Sequence, residues 1–146
     1  MSLRVLVSGG GIGGLAAALA CGRAGTQVEL FERAEAFGEV GAGIQIGPNV
    51  TRILAQWGLS DALAEVAAFP THLQVHNAAS GESLGVLPLG ATARARYGAP
   101  YATVHRADLH ALLLRAVQRQ SGAGLHLDSA LTGFSQSQAQ VRVQTA

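Results

Sequence analysis

An α/β fold around a parallel sheet is what this sequence predicts, and three observations predict it. A short apolar run from Leu3 to Ser8 ends in glycines, an alanine-rich stretch with helical spacing follows, and a second apolar run extends from Gln27 to Glu32. A chain of 146 residues, 49% hydrophobic and 13% charged, has the material for one globular core that buries roughly two thirds of its unfolded surface.

Leu3 to Ser8 reads as a strand buried on both faces, because a nearly continuous apolar run bounded by glycines is the mark of a parallel-sheet strand. Ile12, Leu15, Ala16 and Leu19 recur at helical spacing, and Ala24-Gly25 supplies a stop, so a helix runs from about residue 12 to 24. Gln27 to Glu32 is then a second strand, parallel to the first across a right-handed crossover. Ala34 to Pro48 is glycine-rich and predicts a mobile or ligand-hugging loop, followed by a helical stretch through Ile53, Leu54 and Trp57. Ser60-Asp61 is placed to cap a helix through Leu63, Val66 and Ala67 that ends before Pro70. His72 to Asn77 and Glu82 to Leu87 predict an antiparallel hairpin. Residues 90 to 100 read as irregular. Ala102 to His105 predicts a brief strand, and about Arg106 to Gln120 a helix with Leu109, Leu112, Leu113, Ala116 and Val117 on its buried face. Leu125 to Leu127 fits a third parallel strand, and Leu131 to Ser135 with Gln140 to Thr145 close the chain as two strands around a polar turn.

The charge pattern excludes some functions. Ten arginines, no lysines and nine acids are scattered without runs, for a net charge of +1, so nothing suggests a nucleic-acid stripe or a polybasic membrane segment. Cys21 is the only cysteine, which leaves neither a disulfide nor a thiolate metal site within one chain and makes a reducing, cytoplasmic setting the expectation. The uncharged run Val5 to Cys21 imitates a secretory signal, but Gly9, Gly10, Gly11, Gly13 and Gly14 would break its helix, so residues 1 to 25 are read as mature structure.

The chemistry gathers at the strand-to-helix turn. Gly9, Gly11 and Gly14, with Gly13 inside the motif, form G-x-G-x-x-G. In a phosphate-binding reading Gly9 makes the tight turn, Gly11 admits a pyrophosphate to the backbone, and Gly14 lets helix and strand pack closely, while the helix N-terminus faces the anion. In a chain with 19 glycines the triplet alone also fits a purely structural turn. Glu32 closes the second strand eighteen positions past Gly14, where a carboxylate accepts hydrogen bonds from both ribose hydroxyls and repels a 2′-phosphate; FAD or NAD is therefore favoured over NADP. Arg33 either flanks adenine or points to water.

The run from Val5 through Glu32-Arg33, the block Gly41-Ala42-Gly43-Ile44-Gln45 with Pro48-Asn49, and the block His105-Arg106-Ala107-Asp108-Leu109 together resemble the N-terminal part of single-component FAD-dependent aromatic hydroxylases, such as salicylate hydroxylase and 3-hydroxybenzoate 6-hydroxylase. In those enzymes NADH or NADPH reduces the flavin, and one atom of O2 is placed on an activated aromatic ring. The resemblance implies a Rossmann-like FAD/NAD(P)-binding βαβ domain of the glutathione-reductase type, with a β-meander and the start of an antiparallel substrate-domain sheet over residues 70 to 100. It implies that Gly9, Gly11 and Gly14 hold the pyrophosphate, that Glu32 and Arg33 hold the adenosine, and that Gly43, Ile44 and Gln45 approach the flavin side. Arg106 would also touch the cofactor; a surface arginine opening a helix is the plainer account, but a cation is unfavourable at a helix N-terminus, which favours an external anion. Leu131 offers backbone contacts to adenine or simply packs its strand. The family is more than twice as long, so the expectation is a chain cut within the FAD domain, incomplete as a catalyst and without an assignable catalytic base. A non-catalytic nucleotide-binding module that pairs with itself through exposed strand edges is the alternative from another class; a fragment of an NAD-dependent dehydrogenase is a weaker one.

Other candidates fall away. His72 and His76 lie four apart on a predicted strand, roughly 13 Å from each other, too far to share a metal. His105, His110 and His126 have no cluster of ligands at metal spacing, Cys21 reads as a small buried hydrophobe, and Arg94 and Arg96 read as solvated loop residues.

Overall fold

The computed structural model describes residues 3–38 and 41–146, and the chain forms a mixed α/β structure of two compact units. One unit comprises residues up to 40 together with His110 onward, and the other is Gly41–Leu109.

In the first unit β1 (Arg4–Ser8), α1 (Ile12–Arg23) and β2 (Gln27–Phe31) form the expected β-α-β unit, with β1 and β2 parallel and Val5 opposite Val28. A third parallel strand, β8 (Ala123–His126), lies on the other side of β2, giving the order β1-β2-β8. As the middle strand, β2 buries Val28 and Leu30 almost completely, along with Leu15, Ala18 and Leu19 of α1. β1 departs from expectation. Its Val5, Leu6 and Val7 are only half-buried, since it is an outer strand of the three rather than an inner one. The expected meander is a two-stranded antiparallel hairpin of β9 (Leu131–Gln136) and β10 (Val141–Thr145). Cys21 is half-buried rather than buried, because it sits near the end of α1, where its carbonyl accepts the Thr26 hydroxyl at 2.8 Å.

The second unit holds the larger corrections. Part of the expected glycine-rich loop is strand β3 (Gly43–Ile46), antiparallel to β7 (Ala102–His105) with Ile44 opposite Val104; residues 39 and 40 of that loop lie outside the described residues. The helical stretch is α2 (Pro48–Gln56), started by Pro48 in its first turn. The next helix, α3 (Ser60–Ala64), is shorter than expected: Leu59 is its N-cap, neither Ser60 nor Asp61 caps it, and Ala67–Ala68 leaves helical geometry as a short strand, β4, on the other side of β7. The hairpin is present as β5 (His72–His76) and β6 (Ser83–Pro88). Residues 90 to 100 are not irregular but contain α4 (Gly90–Tyr97). Gly90 and Gly98 bound this helix, and Gly98, at φ +73°, gives its N–H to the Arg94 carbonyl as a left-handed cap. Helix α5 (Arg106–Gln118) begins in this unit and ends in the first.

Candidate functional site

The turn between β1 and α1 is built by contacts that spend the N–H groups of Gly9 and Gly10 and leave those of Gly11 to Gly14 available. Gly9 lies at φ +96°, where residues with a side chain are strained, and its N–H bonds the Phe31 carbonyl at 2.8 Å. A Cβ on Gly14 would collide with the Gly9 carbonyl oxygen, so close packing of α1 on the turn demands glycine there. Gly11 and Gly13 are different. A Cβ at either would meet no atom within 4 Å, and Gly11 has ordinary extended geometry at φ −72°, so the fold itself gives no reason for glycine at these two places. Gly11 is the N-cap of α1, no side chain caps the helix, and the N–H groups of Gly11 to Gly14 have no partner within it by helix geometry. Open space, absent side chains and unspent N–H groups coincide at the positive end of a helix, a chemistry that accepts an anion.

Glu32 follows β2 and faces this turn. Its Oε2 accepts the Gly10 N–H at 2.5 Å and its Oε1 accepts the Ala34 N–H at 2.9 Å. Those two bonds, Ala34 first and then Gly10, hold the carboxyl below the ordinary glutamate pKa against the opposing effect of partial burial, so the group is an anion at neutral pH. Each oxygen keeps a second acceptor position, enough for two hydroxyl donors. Beside it a cleft of about 270 Å³ is lined by Ser8, Gly9, Phe31, Glu32, Arg33, Ser129, Ala130 and Leu131. The structure therefore brings Arg33, exposed, and Leu131, half-buried at the start of β9, to the same cleft as the carboxylate. The cleft wall is tied to β2 by Glu32 N–H to the His126 carbonyl at 2.8 Å and Ser129 N–H to the Glu32 carbonyl at 2.9 Å.

The remaining expected residues belong to the second unit. Gly43, Ile44 and Gln45 lie on β3, and the Gln45 side-chain oxygen accepts the Tyr101 hydroxyl at 2.5 Å. Arg106 opens α5. Its N–H bonds the Ala42 carbonyl at 3.3 Å, and a Cβ on Gly41 would stand 3.0 Å from the Arg106 Cδ, so the glycine makes room for the arginine stem. Among the described residues no group of three or more His, Cys, Asp or Glu side chains could hold a metal ion, and no helix is long and apolar enough to cross a membrane.

Two contributors escaped the sequence reading. His110 is 4% exposed, and its Nε2 lies 2.8 Å from the Gly10 carbonyl oxygen. Phe37 packs against the same residue: a Cβ on Gly10 would stand 2.6 Å from the Phe37 Cε1. The signal for His110 was present, since 110, 113 and 117 share the buried face of α5 and a polar residue in such a stripe needs an interior partner. For Phe37 there was none.

No protein-family model matches the chain. Over 116 residues, 80% of its length, it is 45% identical to 3-hydroxybenzoate 6-hydroxylase of Polaromonas naphthalenivorans, and over 116 residues it is 44% identical to 6-hydroxynicotinate 3-monooxygenase of Pseudomonas fluorescens. The chain is homologous to FAD-dependent aromatic-ring monooxygenases. It spans 29% and 30% of the length of those two relatives. A Klebsiella pneumoniae HpxO variant solved with FAD superposes at a TM-score of 0.84 with 25% identity, over 98% of this chain and 35% of the other. CtdE, solved with FAD and a substrate, gives the same TM-score at 23% identity over 99% of this chain and 34% of the other, a likeness of fold.

Proposed function

We propose that this chain is the part of a flavin-dependent aromatic-ring monooxygenase that holds the ADP half of FAD, on a Rossmann-like β-α-β unit of glutathione-reductase type. The observation that carries the reading is the pair Gly11 and Gly13, whose missing side chains answer to nothing inside the fold and face open space at the N-terminus of α1. A pyrophosphate meets that description. The N–H groups of Gly11 to Gly14 would take the phosphates, Glu32 the two ribose hydroxyls, and Arg33 with the Ser129 to Leu131 backbone the adenine edge. In the second unit Gly43, Ile44, Gln45 and Arg106 are assigned to the flavin side, in keeping with the resemblance of their blocks to the hydroxylases. When bound, FAD supplies the electron transfer and oxygen chemistry, and the protein supplies binding, orientation and charge.

The whole protein's activity is proposed as hydroxylation of an aromatic hydroxy acid with NAD(P)H and O2. The β5–β6 hairpin, with Leu73, Val75, Leu84, Val86 and Leu87 all exposed, is proposed as the start of the substrate-domain sheet, which would cover those apolar side chains. A cytoplasmic setting and pairing of two copies through an outer strand, β1 or β8, complete the proposal; sedimentation as a strict monomer at high concentration would remove the pairing.

The decisive comparison is between FAD, ADP and FMN, added to the purified chain and followed by flavin fluorescence and calorimetry. FAD and ADP should bind and FMN, which lacks the ADP half, should not. FMN binding as well as FAD, or no binding of ADP, would overturn the assignment.

A further inference from the structure

The Gly10–Gly11 peptide sits at the centre of the turn with no Cβ on either side, so rotation of that peptide plane meets little steric resistance. Rotation matters chemically. In a trans peptide the carbonyl and the following N–H point in opposite directions, and the described residues contain no cis bond. One orientation of this plane offers an approaching anion the Gly11 N–H, and the reverse offers it the Gly10 carbonyl oxygen, which repels it.

His110 decides between them. Its Nε2 lies 2.8 Å from the Gly10 carbonyl oxygen, and because a carbonyl only accepts, Nε2 carries the proton. The imidazole is almost wholly buried and comes from α5, one hundred residues further along the chain, so the contact is held by the tertiary fold rather than by the turn. The Gly10 N–H is held by Glu32 at 2.5 Å, and the Phe37 ring closes the side of Gly10 where a Cβ would stand. With the carbonyl drawn inward, the Gly11 N–H of the same trans peptide is directed the other way.

We propose that His110 is a positioning residue for the pyrophosphate: its Nε2–H latches the Gly10–Gly11 peptide so that the Gly11 N–H, and not the Gly10 carbonyl, meets the anion. This rests on the ADP reading above. Buried as it is, His110 touches no substrate and acts through the peptide alone.

The test compares the whole chain with His110→Met, which fills similar space without a donor, and His110→Gln, which keeps an N–H near the Nε2 position. ADP and adenosine are titrated into each. His110→Met should weaken ADP by about tenfold, the equivalent of one charged hydrogen bond, and leave adenosine unchanged, while His110→Gln should restore ADP to within about threefold. A merely structural role would lower both ligands together. An unchanged ADP affinity in His110→Met, an equal loss for adenosine, or a His110→Gln as weak as His110→Met would overturn the proposal. Amide hydrogen exchange at Gly10 and Leu15, whose N–H groups are bonded to Glu32 and to the Gly11 carbonyl on either side of this peptide, gives a second arm that needs no ligand: exchange should quicken in His110→Met and stay at the wild-type rate in His110→Gln. If the wild type binds no ADP, the ADP reading fails by itself, and equal exchange in wild type and His110→Met would separately sink the latch.

Discussion

Replacing Glu32 with alanine should injure the protein twice, through two separable sets of bonds. In the free chain the carboxylate accepts the N–H of Gly10, a buried residue, and of Ala34, an exposed one. Water replaces the second at little cost. It does not readily reach the first, so the loss is the penalty of a buried unpaired donor, about 1–3 kcal/mol. For a domain of this size that lowers the melting temperature by about 3–9 °C. Binding adds an independent loss, because the second acceptor positions on the two oxygens are the ones assigned to the ribose. Removing those charged hydrogen bonds costs about 1–3 kcal/mol, or about 5- to 150-fold in ADP affinity. Glu32→Gln keeps one accepting oxygen but turns an NH2 toward the other donor, so it should recover only part of either loss. Thermal melting followed by circular dichroism reads the first effect, and titration calorimetry with ADP at a temperature where both variants are folded reads the second. A Glu32→Ala protein that melts with the wild type would refute the argument that the carboxylate supports the turn. An unchanged ADP affinity would remove the ribose assignment.

The turn's other contacts set further expectations. Gly14→Ala should abolish ADP binding, since its Cβ would collide with backbone at Gly9, whereas Gly10→Ala should be milder because the Phe37 ring it meets is the movable end of a side chain; equal effects in calorimetry would contradict this. Leu30→Ala, at a fully buried position in the middle strand, should cost about 2–5 kcal/mol in denaturant unfolding. Because Glu32 has a lowered pKa when folded, its stabilisation is complete above the unfolded glutamate value and lost as pH falls through the folded one. A melting series through and below about pH 4 should therefore narrow the gap between wild type and Glu32→Ala. Gly98→Ala, at φ +73°, should destabilise α4 by about 1–2 kcal/mol, readable as a lower melting temperature.

Local physics made the opening unit legible. β1, α1 and β2 are contiguous, each has its own periodicity, and Glu32 lands at the end of β2 because the helix between fixes the spacing. What was misread depends on partners distant in sequence. β3 reads as loop from Gly41, Gly43 and Gly47, yet it is a strand because β7, nearly sixty residues away, pairs with it. Ala67 and Ala68 have good helix propensity and are still drawn into β4 by that same strand. Residues 90 to 100 read as irregular, yet they contain α4, with Gly90 at its start and Gly98 as its left-handed cap. At the site the motif exposed the glycines and the carboxylate; of the supports, His110 stood out only as a polar residue in the buried stripe of α5, its partner Gly10 lying one hundred residues away, and Phe37, from an irregular segment, answers to tertiary placement that no local pattern encodes.

The central claim is that ADP is recognised between the α1 N-terminus and Glu32, and backbone chemical-shift mapping of the isotopically labelled chain during an ADP titration tests it most directly. The largest perturbations should fall on the amides of Gly11 to Gly14, on Glu32 and Arg33, and on Ser129 to Leu131, with the β5–β6 hairpin silent. Saturable shifts centred on the hairpin or on α2 and α3, with Gly11 to Gly14 unmoved, would contradict it.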